Sequence, residues 1–291
     1  MTATTPTGGT TSTATRGGTP ALVVVAHGSR DPRALRTVRA LLDRVRALRP
    51  ALPVHLGHIE LNEPLLPDTL TALGSGAAVV VPLLLSRGHH VKRDIPQMAD
   101  AAPARTRVAA PLGPHPLLAD ALHARLTEAG WPAHGGPDHA VVLASAGSRD
   151  PESRADSART AALLATRLGV PVLPAYASAS APTVPEAIRT LTSRGHRRVA
   201  VASCFTAPGR FAAQCAAQAP WIASAPLGTH PAMARLLLHR YDTAREGGDE
   251  DSAPKGSGER RDRPRTARSR TSAEPRGRVG PPTVTPSAYC S

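Results

Sequence analysis

Three separated points of the 291-residue chain place imidazoles and a carboxylate where an apolar run stops. His27 follows Ala21–Ala26, and Glu60 follows the run that begins at Val54. His89 and His90 follow Val79–Leu85 in VVVPLLLSRGHHVKRDIP, which ends at Pro96. Imidazole and carboxylate together suit a borderline divalent ion such as Zn²⁺, Fe²⁺, Co²⁺ or Ni²⁺ with coordination positions left open. The scattered cysteines, Cys204, Cys215 and Cys290, offer neither a disulfide framework nor a thiolate metal cage. At this point His89 and His90 are equal candidates.

These groups need a scaffold that brings strand exits together. The runs Ala21–Ala26 and Val79–Leu85 show no alternation, which predicts strands covered on both faces and therefore a parallel sheet. Ligands of such sheets sit outside the carboxyl ends of the strands. After the first strand, Asp31 is placed to cap a helix and Pro32 suits its first position. That helix is predicted to run to about Leu48, with Leu35, Val38, Leu41, Leu42, Val45 and Leu48 on one buried face. A strand from Val54 to about Ile59 follows, then a helix behind Pro64 and Pro67 that reaches about Leu73. A short strand is predicted at Val108–Ala110 and a helix at about Pro116–Ala129. Alternating strands and helices imply an α/β fold with a parallel sheet flanked by helices.

The second half restates the first. VVVAHGSRDP (Val23–Pro32) matches VLASAGSRDP (Val142–Pro151), and APLGPHP (Ala110–Pro116) matches APLGTHP (Ala225–Pro231). Pro64 and Pro67 fall in register with Pro182 and Pro185. The expected organisation is two similar domains, 21–134 and 138–245, with a cleft between them. Residues 1–20 and 246–291 are low in apolar content and expected to be disordered, the latter as a basic tail. The repeat separates scaffold from chemistry. His115 and His230 recur, and so are expected to be structural. His27 aligns with Ala146 and Glu60 with Ser178. With Gly88 placed on Gly209, His89 and His90 fall on Arg210 and Phe211. Only the first half carries the candidate ligands.

Composition narrows the partners. Residues 21–245 keep 25 basic against 15 acidic residues, which favours a polyanionic partner. Aromatic residues make up 2% and no nucleic-acid motif is present, so a small polycarboxylate fits better than specific nucleic acid binding. No run is long enough to span a membrane, and no secretory signal is recognised at the N-terminus, so a cytoplasmic protein is expected.

AHGSRDP, IELNEP and PLLLSRGHHVKRDIP, in that order and spacing, resemble the sirohydrochlorin chelatase family of class II tetrapyrrole chelatases. The likeness covers residues 21–245 as two fused family-like domains. The family pattern Gly-x-His-Val-x-x-Asp-Ile-Pro is met by Gly88, His90, Val91, Asp94, Ile95 and Pro96, which selects His90 over His89. The resemblance implies insertion of Fe²⁺ or Co²⁺ into sirohydrochlorin, in sirohaem or cobalamin biosynthesis. It assigns metal binding and proton removal to His27 and His90, with Glu60 as a third such group. The metal, Ni²⁺ included, is then a substrate, and no permanently bound cofactor is expected. Arg30, Arg87, Lys92 and Arg93 stand beside these positions and are expected to pair with substrate carboxylates. Asp94 is expected to orient His90 or to cap the helix before Pro96, with His89 as a further supporting residue. Fusion of two domains favours a monomer. The alternatives are a metal or tetrapyrrole carrier without turnover, and a phosphoryl-transfer enzyme using His27 and Arg30.

Overall fold

The computed structural model describes residues 19–247. The terminal segments expected to be disordered lie outside them, apart from Thr19, Pro20, Glu246 and Gly247. The first half alternates β1 (Ala21–Ala26), α1 (Pro32–Leu48), β2 (Val54–His58), α2 (Leu66–Ala72) and β3 (Ala77–Pro82). A π-helical turn, His90–Asp94, then runs into α3 (Ile95–Asp100), β4 (Arg105–Val108) and α4 (Pro116–Glu128). The second half supplies β5 (His139–Ser145), α5 (Pro151–Leu168), β6 (Val172–Tyr176), α6 (Val184–Ser193), β7 (Arg198–Ser203), α7 (Arg210–Ala216) and α8 (Pro231–Glu246). Two all-parallel sheets result, ordered β2-β1-β3-β4 and β6-β5-β7. In the second sheet the place of a fourth strand is reduced to a single bridge, Val201 to Ala223.

The repeated turns do the same local work in each half. Asp31 and Asp150 accept from the backbone N–H of Arg33 and Glu152, and Pro32 and Pro151 open the helices they cap. His115 and His230 cap α4 and α8 by accepting from Leu117 N–H and Ala232 N–H through Nδ1. They are therefore structural, as the repeat implied.

Three local expectations shift. The buried face of α1 is Ala34, Val38, Leu41, Leu42 and Val45, while Leu48 in its last turn is 54% exposed. The strand expected over Val79–Leu85 starts at Ala77 and ends at Pro82, beyond which the chain continues in single bonds such as Leu83 N–H to Val25 C=O. The strand expected at Val108–Ala110 is Arg105–Val108 instead, an edge strand whose arginines are exposed, so no apolar run marks it.

The last helix of each half leaves its own sheet. Helix α4 packs on α5 and β7, and α8 packs on β3, β4 and α1. One apolar core consequently runs through both halves, from Leu22, Leu41 and Val81 to Val141, Leu164, Leu237 and Tyr241. Two smaller cores back the outer faces of the sheets, one around Val23, Leu66, Leu70 and Ile95, the other around Val142, Val184 and Leu191. Polar bonds follow the exchange. Arg49 pairs with Asp242 of α8 at 2.6 Å and 2.8 Å, and Arg107 donates to the Ala244 carbonyl at 2.6 Å.

Candidate metal-handling site

The site stands at the carboxyl edge of the first sheet, where β1, β2 and β3 run side by side. The ladder between β1 and β2 continues past both strands: Ile59 N–H donates to Ala26 C=O at 2.9 Å and Glu60 N–H to His27 C=O at 3.1 Å. The backbones of His27 and Glu60 are thus tied directly together. The next residue must be glycine. Gly28 has φ +104°, and a Cβ there would stand 1.8 Å from the Glu60 carbonyl oxygen. Gly147 makes the same approach to Ser178 in the second half, so the junction is a property of the fold and the side chains are what differ.

His27 Nδ1 lies 3.6 Å from Glu60 Oε1, within ion-pair range but beyond a hydrogen bond. The His27 and His90 rings meet edge-on, with centroids 4.8 Å apart and planes at 84°. The three residues selected by the resemblance are therefore neighbours in space. They form an open group: no three His, Cys, Asp or Glu side chains among the described residues converge into a set that could hold a metal ion as they stand. The side chains of His27, His90 and Glu60 remain 43%, 38% and 53% exposed, so a ligand can reach all three.

His90 is delivered by the π-helical turn. Ile95 N–H bonds to His90 C=O five residues back, and Pro96 falls in the first turn of α3, where its missing N–H costs nothing. Asp94 has helical φ and ψ and makes no side-chain cap bond, so the cap expected of it is not formed. Its carboxylate instead accepts from His90 Nδ1 at 2.6 Å. A proton held on Nδ1 leaves Nε2 with its lone pair, the form in which imidazole binds a metal. His89 is 76% exposed and lies 3.5 Å from the same carboxylate.

The four expected carboxylate-binding cations divide in two. Arg30 and Arg93 are exposed and make no ion pair among the described residues. Arg87 and Lys92 are paired with carboxylates of α5 and its cap. The Arg87 guanidinium grips Asp156 of α5 at 2.7 Å and 3.1 Å, and its backbone N–H bonds the same carboxylate at 2.8 Å. Lys92 pairs with Asp150 and Glu152, each at 3.0 Å, and Ser86 shares a 2.8 Å hydroxyl bond with Ser153. Asp156 is wholly buried. Burial alone would raise its pKa, but the hydrogen bonds from Arg87 and Arg159 outweigh that and hold it below the ordinary 3.8.

Asp156 and Ser153 lie inside α5 and not at a strand exit, so the strand-exit pattern does not mark them. Carried one turn into the helices, the alignment of the two halves places Asp156 on Thr37 and Ser153 on Ala34. That mismatch is the available signal.

Known proteins agree with this architecture. The CbiX family profile matches residues 21–129 and again 140–244. A sirohydrochlorin ferrochelatase of Bacillus subtilis is 31% identical over 181 residues, 59% of this chain and 68% of that protein. A sirohydrochlorin cobaltochelatase of Methanococcus aeolicus is 37% identical over 81 residues, 27% of this chain and 57% of its own length. The chain thus spans little more than half of that relative. Among solved structures, SirB from Bacillus subtilis with Fe³⁺ superposes with a TM-score of 0.65 at 26% identity, covering 78% of this chain and 97% of SirB. The family profile covers most of both sequence repeats, and on that basis the chain belongs to the CbiX family.

Proposed function

We propose that this protein inserts a divalent metal ion, Fe²⁺ or Co²⁺, into sirohydrochlorin at the carboxyl edge of the first sheet. The observation that carries the reading is the meeting of His27 and His90 at 4.8 Å, with Glu60 beside His27, in a CbiX-family chain. Insertion exchanges one divalent ion for two pyrrole N–H protons. His90, with Nδ1 held by Asp94, offers Nε2 to the incoming ion. His27 accepts one pyrrole proton and Glu60 beside it accepts the other. The open arrangement suits a transient ligand set: a closed cage would retain the ion, whereas weak coordination lets four pyrrole nitrogens take it.

Arg30 and Arg93, exposed and without an ion pair among the described residues, bind substrate carboxylates. Arg149, exposed in the matching turn of the second half, extends the basic wall. The metal is substrate, and no resident cofactor takes part. The fused chain acts as a monomer in the cytoplasm. No helix among the described residues is long and apolar enough to cross a membrane.

The test is to follow the absorbance of sirohydrochlorin with Co²⁺, Fe²⁺ or Ni²⁺ and purified protein under anaerobic conditions. Catalysed insertion over many turnovers is expected, falling at least about 100-fold in His27→Ala and in His90→Ala. A rate equal to the spontaneous one, or full activity in His27→Ala, refutes the reading. A single stoichiometric transfer identifies a carrier.

A further inference from the structure

The second half supplies none of the proposed ligands, yet it holds the segment that carries one. Ser86 and Arg87 precede His90 and bond Ser153 and Asp156, while Lys92 follows it and bonds Asp150 and Glu152. The segment is therefore gripped on both sides of the imidazole by the first turns of α5 and its cap. The grip includes main chain, since Arg87 N–H donates to the buried Asp156 carboxylate.

This contact is one-sided. In the aligned positions of the first half, Asp156 becomes Thr37, Ser153 becomes Ala34 and Glu152 becomes Arg33. With Gly88 on Gly209, Arg87 becomes Pro208. A contact that served only to join the halves would have no reason to favour one loop. Joining is already provided by the exchanged helices and the shared core.

We propose that Asp156 is a positioning residue for the metal site. Through Arg87 it fixes the loop and sets where His90 stands against His27, so the half without ligands keeps the other half's site assembled. This rests on the metal-insertion reading for its link to turnover, but Co²⁺ binding reads the placement of His90 without turnover.

The experiment compares Asp156→Asn and Arg87→Lys with the wild type, each as the full chain. Arg167→Ala is the control, because Arg167 also lies on α5 and its ion pair, with Asp120 of α4 at 3.1 Å, joins the halves without the loop. Co²⁺ affinity and visible spectrum, thermal midpoint, and kcat and KM for sirohydrochlorin are measured. In both loop variants the Co²⁺ Kd should rise about tenfold, within the range for losing a residue that orients a ligand. kcat should fall by a similar factor with KM nearly unchanged, and the Co²⁺ spectrum should change. Arg167→Ala should match the wild type within about twofold in affinity and kcat. Unchanged affinity and spectrum in both loop variants, or an equal loss in Arg167→Ala, overturns the proposal. If Asp156→Asn does not fold, Arg87→Lys decides alone, since it keeps the charge and removes only the fork. A protein that binds Co²⁺ without turnover would refute metal insertion while the affinity comparison still judges the latch.

Discussion

Asp94 shows how much a single carboxylate can decide at this site. It sits one helical turn after His90, accepts from Nδ1 at 2.6 Å, and so selects which nitrogen of the ring faces outward. Replacing it with Ala leaves His90 in place but free to rotate and to change tautomer. Metal affinity is then expected to fall about 10- to 100-fold, the usual cost of losing such a partner. Titration with Co²⁺, read by absorbance, checks this, and Asp94→Asn should retain part of the affinity because its amide oxygen still accepts. Gly28 acts at the same scale by a different route. Its positive φ and the 1.8 Å clash that any Cβ would meet are what allow His27 and Glu60 to lie back to back.

At the scale of elements, α5 differs from its counterpart α1 in the residues it turns to the loop. Helix α1 presents Arg33, Ala34 and Thr37 where α5 presents Glu152, Ser153 and Asp156. The pKa values of Asp156 and Asp150 are both held below the ordinary 3.8: for Asp156 hydrogen bonds from Arg87 outweigh burial, and for Asp150 the leading cause is the bond from Lys92. Carboxyls that ionise more readily in the folded state stabilise it above their unfolded pKa, and that stabilisation is lost as pH falls through the folded value. The grip of α5 on the loop should therefore be intact at neutral pH and weaken below pH 3.8. Acid unfolding followed by circular dichroism should show a shallower limb for Asp156→Asn than for the wild type. At neutral pH that variant should be less stable by about 3 kcal/mol, the scale for breaking a buried pair from one side.

At the scale of the whole molecule, the exchange of α4 and α8 makes the halves depend on each other. Residues 19–137 produced alone would carry α4 without the sheet it packs on and β3 without α8 above it. The apolar surface so exposed includes Val81, Leu118 and Leu122, each fully buried in the intact chain. That fragment is expected to aggregate or to pair with itself, and to show no cooperative monomeric unfolding. Sedimentation and thermal denaturation check this; a stable monomer with a sharp transition would contradict it.

Much of the protein was legible in the amino-acid sequence. Unbroken apolar runs mark β1 and β3, Asp-Pro pairs mark the starts of α1 and α5, and the repeat separates structural histidines from candidate ligands. These features are local: they depend on burial pattern, capping chemistry and spacing within a few residues. What tertiary structure alone decided involves residues far apart in the chain. Arg87 and Asp156 are 69 positions apart, and Arg49 and Asp242 are 193 apart. In sequence, Arg87 and Lys92 are cations beside a site and nothing distinguishes them from Arg30 and Arg93. The difference arises only when α5 brings buried and half-buried carboxylates to the loop, because a charge is committed by the partner that folding places beside it. The exchange of the last helices was hidden for the same reason: an amphipathic helix records that it has a buried face, and not which sheet will cover it.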